Sequence, residues 1–193
     1  MASRLGSLIG RAVLPRRRTG FARDERGTTF VEFGLLALPF FSIVGAILET
    51  AVVFLSGQIL ESAVQDVSRL IRTGQAQTTM FSPADFRERV CARLYGLFSD
   101  CSGLHVEVQS ITNFSSVTVD PPVDWNCVDT PTVPCTWTRG ERYTSGAGSS
   151  IILVQVYYKW PIILSLGDLT LANLPGNRRL LSSSTVFRNE PFT

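Results

Sequence analysis

The longest apolar segment of the chain lies near its N-terminus. From residue 33 to residue 48 every residue is apolar or small except Ser42, and after Glu49 and Thr50 the apolar run resumes through Leu55. The 28 residues from Thr28 to Leu55 exceed the roughly 20 that a helix needs to cross a bilayer. The pattern predicts one membrane-spanning helix.

Beyond Gly57 the apolar residues recur at intervals of three and four, which is the spacing of one helix face. They are Leu60, Ala63, Val64, Val67, Leu70 and Ile71. Gly74 follows them and is a candidate C-terminal cap. The pattern predicts that the membrane helix continues as a stem, in one helix of about 45 residues. We expect its apolar stripe to pack on the sheet of the same chain, with a partner helix as the alternative.

The remaining chain predicts a small domain with both helix and sheet. Residues 83–97 have the period of a short amphipathic helix, and Ser82 is a candidate N-cap. Residues 104–111 alternate as a half-buried strand, residues 150–160 predict a central strand, and residues 179–188 predict its antiparallel neighbour. The predicted fold class is α+β: a long N-terminal transmembrane helix continuing into an amphipathic helix, packed on a small antiparallel sheet with a short second helix and a disulfide-bonded loop.

A long polar excursion, residues 113–148, separates two of these strands. It is rich in Pro, Asp, Thr, Ser and Gly, and it contains Trp125 and Trp137. Loops of this length are usually functional or mobile. Two interpretations of the tryptophans stay open: a small core that covers a disulfide, or an exposed binding surface.

A second apolar segment, residues 161–174, is interrupted by Gly167 and Asp168. It is too short to predict a further membrane span. Two placements are open for it, since such a segment either covers the sheet or dips into the membrane interface.

Charge is distributed unevenly along the chain. Residues 1–27 carry seven arginines against two acidic residues, a net charge of +5, so that the rest of the chain carries −3 of the total of +2. Arginines that flank a membrane span stay in the cytoplasm. We therefore expect a cytoplasmic N-terminus and an extracytoplasmic C-terminal domain. Nucleic-acid binding is not expected, because no aromatic or helical recognition pattern accompanies the arginines.

The four cysteines, Cys91, Cys101, Cys127 and Cys135, all follow the apolar segment. Disulfides persist outside the cytoplasm. Three pairings are possible, and the pairs Cys91 with Cys101 and Cys127 with Cys135 close the two shortest loops. We expect two intramolecular disulfides, with buried free thiols as the alternative. Zinc is disfavoured, because there is no Cys-x-x-Cys and the only histidine is His105.

An acidic residue stands at the start of the membrane helix. Glu32 lies five residues after Gly27, at a position where a carboxylate must be paired or functional to be tolerated. A basic leader, a glycine, four residues and then a glutamate at the start of an apolar helix resemble the type IV prepilin signature. That resemblance implies cleavage between Gly27 and Thr28 by a prepilin peptidase, and registration of neighbouring subunits by Glu32. An ordinary secretory signal peptide fits poorly, and an uncleaved signal anchor is the main alternative.

Two further residues interrupt the span. Pro39 predicts a local kink. Glu49 lies near the outer end, where it either reaches interfacial water or makes a specific contact with another helix.

Several short segments together resemble the TadE-like family, the minor pseudopilins of the tight adherence (Tad, or Flp) pilus system. They are residues 21–27, 31–33, 38–39, 47–49 and 69–75, with a similar ending at 186–192. The resemblance implies prepilin-peptidase maturation, an inner-membrane anchor, and a non-catalytic role in pilus assembly, surface attachment and biofilm formation. The implied partners are prepilin peptidase, other pseudopilins and pilus-assembly proteins, and the membrane.

No constellation for catalysis is present in the sequence. There is a single histidine, no paired nucleophile, no Walker-type glycine loop and no metal-ligand spacing, so we expect no enzyme, no metal, no cofactor and no small-molecule substrate. The predicted organisation is a basic cytoplasmic leader (1–27), a transmembrane helix (28–57), and an extracytoplasmic domain with a helical stem (58–74) and an α+β head (75–193). The alternative function is a single-span envelope binding protein or adhesin with a plain signal anchor.

Overall fold

The computed structural model of the protein describes residues 27–98, 101–130, 133–166 and 169–192. The arginines predicted to form the basic leader lie outside these ranges. The described part of the chain divides into two compact units, one that ends at Ile43 and one that begins at Val44. The second unit contains the sheet, the short helices and both disulfides.

Helix α1 spans Thr28–Arg72, 45 residues, and is continuous through Pro39. Several hydroxyl side chains along it donate to carbonyls four residues earlier, for example Ser56 Oγ to Val52 O at 2.7 Å. After Arg72 the chain leaves the helix at Gly74, which has a φ of +80° and therefore suits glycine. The predicted long helix is confirmed, and Gly74 follows its end in the left-handed conformation that is typical of a C-terminal cap.

The outer part of α1 buries one stripe of side chains. The buried residues are Val53, Ser56, Leu60, Ala63, Val64, Val67, Ser68 and Ile71. Their spacing of three and four places them on one helix face. The apolar members form a core together with residues of the sheet and of the short helices. This stripe is the one that the sequence periodicity indicates.

The main sheet has four strands in the order β2-β1-β3-β6. The strands in chain order are β1 His105–Ile111, β2 Arg142–Tyr143, β3 Ile151–Pro161, β4 Ser165–Leu166, β5 Leu169–Thr170 and β6 Arg178–Arg188. Strand β3 is central and pairs antiparallel with β1 and β6, while β4 and β5 form a separate two-stranded sheet. The predicted α+β class is confirmed. The sheet is mixed and not wholly antiparallel, because the two-residue β2 pairs parallel to β1.

Both faces of the sheet are covered at its centre. Val106 and Val108 of β1 and the even-numbered residues of β3 join the helical core. On the opposite face, His105, Glu107 and Gln155 are also buried. A strand covered on both sides loses the alternation of apolar and polar positions. This explains why β3 reads as a nearly continuous apolar run.

Two short helices precede the sheet, α2 at Gln75–Thr78 and α3 at Pro83–Cys91. The predicted N-cap is confirmed, since Ser82 and Asp85 form a reciprocal capping box. Hydrogen bonds from the side chain and backbone of Ser82 hold the pKa of Asp85 below its ordinary value.

The predicted end of the second helix, residue 97, is wrong. Helix α3 ends at Cys91, and the following residues form turns in which Tyr95 and Gly96 have φ of +52° and +70°. A left-handed backbone cannot continue a right-handed helix. Leu94 is nevertheless buried, so the apolar period continues through residues that are no longer helical.

Candidate functional site

The peptide bond between Gly27 and Thr28 lies at the start of α1. Both residues are exposed, and Thr28 is the first residue of the helix. A Cβ added at Gly27 would meet no atom within 4 Å. The bond is therefore accessible to another molecule on the described side.

Glu32 lies one helical turn further along α1 and is exposed. Its neighbours Phe30, Val31 and Phe33 are 79%, 66% and 66% exposed. Within the described residues no hydrogen bond or ion pair reaches its carboxylate. An acid in this apolar setting has no partner in its own chain among those residues.

The surface of α1 around this acid is apolar. Large apolar side chains are exposed along the helix from Phe30 to Leu55. Monomeric soluble proteins rarely expose contiguous apolar patches of this size, and α1 is long and apolar enough to cross a membrane. The class of protein defined by these features is an α+β domain carried on a single N-terminal helix that could span a membrane.

Glu49 makes a contact that neither sequence interpretation describes. Its Oε1 accepts the backbone N–H of Ile163 at 2.5 Å, and both carboxylate oxygens accept the N–H of Leu164 at 3.1 Å. A contact between Glu49 and the helix of another subunit stays a prediction. Within the chain, Glu49 fastens the segment after β3 to α1.

An ionic cluster centred on the buried Glu107 lies on the other face of the sheet. Glu107, 3% exposed, accepts two hydrogen bonds from Arg139, from Nε to Oε1 at 2.7 Å and from Nη2 to Oε2 at 3.0 Å. His105 Nε2 lies 3.0 Å from the same Oε1. Arg139 also donates to the Asp120 carboxylate at 3.0 Å and to its backbone oxygen. We call Glu107, Arg139, His105 and Asp120 the ionic cluster.

Electrostatics favour the charged forms of Glu107 and Arg139. Burial by itself raises the pKa of Glu107, but the hydrogen bonds with Arg139 and His105 outweigh it and hold that pKa below its ordinary value. The hydrogen bonds with Glu107 raise the pKa of Arg139 despite its partial burial. The cluster therefore ties the 113–148 excursion to strand β1 through a charge-assisted pair.

The two tryptophans of the excursion have different environments. Trp137 packs on the His105 ring, with 4.8 Å between the two ring centroids. Lys159 Nζ lies 4.3 Å from the centroid of the Trp137 ring. Lys159 Nζ also donates to Cys135 O at 2.8 Å, and burial lowers its pKa. Trp125 is 49% exposed. Trp137 therefore packs against side chains of β1 and β3, whereas Trp125 is exposed, and both interpretations of the tryptophans stay predictions.

The structure pairs the cysteines in the two shortest loops. Cys91 is bonded to Cys101, and Cys127 is bonded to Cys135. The first bond connects the end of α3 to the segment before β1, and the second closes a loop inside the excursion. Both lie on the extracytoplasmic side of the predicted topology.

Of the residues proposed as a site, Gly27, Thr28 and Glu32 lie within six residues of sequence at the start of α1, and Glu49 belongs to the second unit. The ionic cluster was not predicted. One local signal for it existed, because His105 and Glu107 are two residues apart on a strand and so share a face. Among the described residues, no group of three or more His, Cys, Asp or Glu side chains is placed to hold a metal ion.

Comparison with known proteins relates the N-terminal helical region to a protein family. Residues 27–69 match the family model described as TadE-like protein. The resemblance drawn from the sequence is thereby confirmed for this segment, and the match supports a protein associated with the Tad pilus. No match was found among curated proteins or among solved structures.

Proposed function

We propose that this chain is a minor pseudopilin of the Tad (Flp) pilus system that takes part in pilus assembly, and through it in surface adhesion and biofilm formation. The observation that carries the proposal is the exposed Gly27, Thr28 and Glu32 arrangement at the start of an apolar helix, inside the segment that matches the TadE-like model. The role is one of assembly, so the chain needs no cofactor and no small-molecule substrate.

The proposed maturation step is hydrolysis of the Gly27–Thr28 peptide bond by prepilin peptidase. Its accessibility at the helix start supports this step. Cleavage would remove the basic leader and create an amino group at Thr28. It would also make Glu32 the fifth residue of the mature protein.

The proposed role of Glu32 is to pair with the Thr28 amino group of a neighbouring subunit. A carboxylate within the apolar part of a bilayer is costly unless it is paired, and no partner reaches Glu32 within the described part of its own chain. Pairing between subunits would satisfy both charges and set the axial register of adjacent helices.

The proposed topology is a single pass through the bacterial inner membrane. The arginine-rich leader would remain in the cytoplasm, the helix would span the membrane from residue 28 to residue 57, and the stem and head, residues 58–193, would lie in the periplasm. An oxidising periplasm is compatible with the two disulfides.

A matched pair of acidic substitutions on α1 tests the role of Glu32. Glu32→Gln removes the charge at the start of the helix, and Glu61→Gln removes an exposed charge further along it. We expect Glu32→Gln to abolish pilus assembly and surface attachment at normal protein level, while Glu61→Gln leaves both unchanged. Normal assembly by the Glu32→Gln protein would contradict the proposal.

A second function is favoured by the exposed end of the excursion. Trp125, Val128 and Val133 are 49%, 76% and 65% exposed near the second disulfide, as expected of a ligand-contacting loop. In a single-span adhesin, Trp125→Ala and Val128→Ser would abolish attachment while Glu32→Gln would not. The opposite pattern supports the pseudopilin.

A further inference from the structure

The segment immediately after β3 packs against α1. Pro161 ends β3, and the next three residues are Ile162, Ile163 and Leu164; we call residues 161–164 the interfacial loop. Besides the hydrogen bonds from the two backbone N–H groups to Glu49 described above, a Cβ added at Gly45 would lie 2.9 Å from Leu164 Cδ1. The loop therefore covers the face of α1 that carries Gly45 and Glu49.

This face is the continuation of the buried stripe of α1. Gly45, Glu49 and Val53 follow one another at intervals of four, so they lie on one side of the helix. Val53 is buried, and Gly45 and Glu49 are half-buried. The neighbouring positions Ile47 and Leu48 are 62% and 61% exposed. The interfacial loop thus covers only the side of α1 that carries Gly45 and Glu49, while Ile47 and Leu48 on the other side stay exposed.

The outer surface of the loop is apolar. Ile163 is 86% exposed, although Ile162 is buried. No charged residue occurs between Lys159 and Leu166. The loop therefore presents an exposed apolar side chain beside α1, whose Glu49 accepts the Ile163 N–H.

The loop also lies at the level of the apolar surface and not beyond it. Phe54 and Leu55, 66% and 54% exposed, follow Glu49 by five and six residues toward the head. That separation is about 9 Å along a helix at 1.5 Å per residue. A membrane that covers Phe54 and Leu55 would therefore also reach the loop.

We propose that the interfacial loop inserts Ile163 into the lipid surface beside α1, and that Glu49 fixes the loop at that depth. The inference rests on the proposed membrane anchor. The polar backbone of a loop is expensive to bury in lipid unless its donors are satisfied, and the Glu49 carboxylate accepts the N–H groups of Ile163 and Leu164.

The residues that surround the loop fit the polar side of a lipid surface. Trp160 is half-buried against Phe98 and precedes the loop, and tryptophan is a residue that membrane interfaces favour. Arg178 pairs with Pro161, and Arg179 pairs with Trp160. The adjoining strand ends therefore carry two cations close to the loop, where lipid phosphates would meet them. These contacts favour lipid over the apolar helix of a second subunit as the occupant.

Three variants of the full chain, each with one introduced cysteine, test the proposal. Cys91, Cys101, Cys127 and Cys135 are all disulfide-bonded, so an introduced thiol can be labelled selectively in the absence of reductant. The variants are Ile163→Cys in the loop, Leu48→Cys on bare α1, and Ala84→Cys, exposed on α3. Each carries an environment-sensitive fluorophore in phosphatidylcholine and phosphatidylglycerol vesicles, with nitroxide-labelled lipid and aqueous iodide as quenchers.

We expect lipid nitroxide near the headgroups to quench the Ile163 and Leu48 labels, and iodide to quench only the Ala84 label. Quenching of Leu48 by lipid and of Ile163 by iodide would overturn the loop inference and leave the anchor standing. Iodide quenching at all three positions would overturn the anchor itself. An Ile163 label that neither quencher reaches would show coverage by protein and would also overturn lipid insertion.

A second substitution tests the part played by Glu49. Glu49→Ala removes the acceptor of both loop N–H groups, and Glu61→Ala, an exposed acid on the same helix, is the matched control. In the Ile163→Cys background, Glu49→Ala should lower quenching by lipid nitroxide and raise quenching by iodide, with Glu61→Ala unchanged. Equal depth in both variants would contradict a fastening role for Glu49.

Discussion

The pair formed by Arg139 and Glu107 provides a measurable test of how the excursion is attached to the sheet. Arg139→Met keeps most of the side-chain volume but removes both donors to a carboxylate whose side chain is 4% exposed. Removing one partner of a buried ion pair costs roughly 3–5 kcal/mol of stability. The Arg139 side chain is 25% exposed, so water can partly replace it, and we expect about 3 kcal/mol, the lower end of that range.

The assay is thermal or urea unfolding of the full chain in detergent, followed by near-UV circular dichroism. A loss of about 3 kcal/mol corresponds to a fall in Tm of roughly 6–12 °C for a domain of this size. Arg142→Met is the matched control, because Arg142 is exposed on the neighbouring β2 and forms no ion pair within the described residues. Its effect should stay within about 0.5 kcal/mol.

The pH dependence gives the same prediction a second readout. The folded-state pKa of Glu107 is below its ordinary value, so this group adds stability above its unfolded pKa of about 4.3 and loses it as pH falls through the folded pKa. In Arg139→Met, burial dominates and raises the folded-state pKa of Glu107. Protonation of Glu107 at low pH then removes the cost of burying its unpaired charge. The difference in unfolding free energy between the unsubstituted protein and Arg139→Met should therefore shrink as pH falls. Equal losses for Arg139→Met and Arg142→Met, or a difference independent of pH, would refute this account.

Three further predictions concern other parts of the chain. A thiol titration of the denatured, non-reduced protein should find no free thiols, and four free thiols would contradict the disulfides. The double substitution Cys127→Ala with Cys135→Ala should lower the free energy of chemical unfolding by about 2–3 kcal/mol, since the closed loop is short. Gly148→Ala should lower the unfolding free energy by about 2 kcal/mol, because its Cβ would lie 2.5 Å from Phe192 O, and an unchanged value would contradict that contact. Gly57→Ala, with no atom within 4 Å of an added Cβ, should instead gain up to about 1 kcal/mol by the same measurement, and a loss would show a helix contact that the structure does not contain.

Long periodic segments carry enough local information to predict their structure. The stripe from Leu60 to Ile71 and the β-rich runs around β3 and β6 are the clearest cases, because each repeats its spacing over many residues. The N-cap at Ser82 was also predictable, since capping depends on residues three positions apart. Fold class follows from these elements together.

Other features depend on tertiary contacts and have no local signal. The apolar period of α3 extends past Cys91 although Tyr95 and Gly96 leave helical geometry. Strand β2 has two residues within a Pro- and Gly-rich excursion and exists only because β1 lies beside it. Periodicity does not detect a turn whose residues stay buried after the helix has ended. It also does not detect a strand that forms only because a neighbouring strand lies beside it.

The candidate site residues also divide into those that sequence spacing reveals and those that only the fold brings together. Gly27, Thr28 and Glu32 are close along the chain, so their spacing is visible in the sequence. Arg139 is 32 residues from Glu107, and Leu164 is 115 residues from Glu49. Contacts over such separations are set by the fold, and a charged residue alone does not identify its partner.

The N-terminus of the mature protein tests the central claim most directly. The protein is extracted from membranes of cells with active prepilin peptidase and of cells without it, and its intact mass and N-terminal peptide are determined. The proposed function predicts an N-terminus at Thr28 in the first sample and an intact leader in the second. An intact leader in both samples would contradict the pseudopilin account and leave Gly27 as the start of a plain membrane anchor.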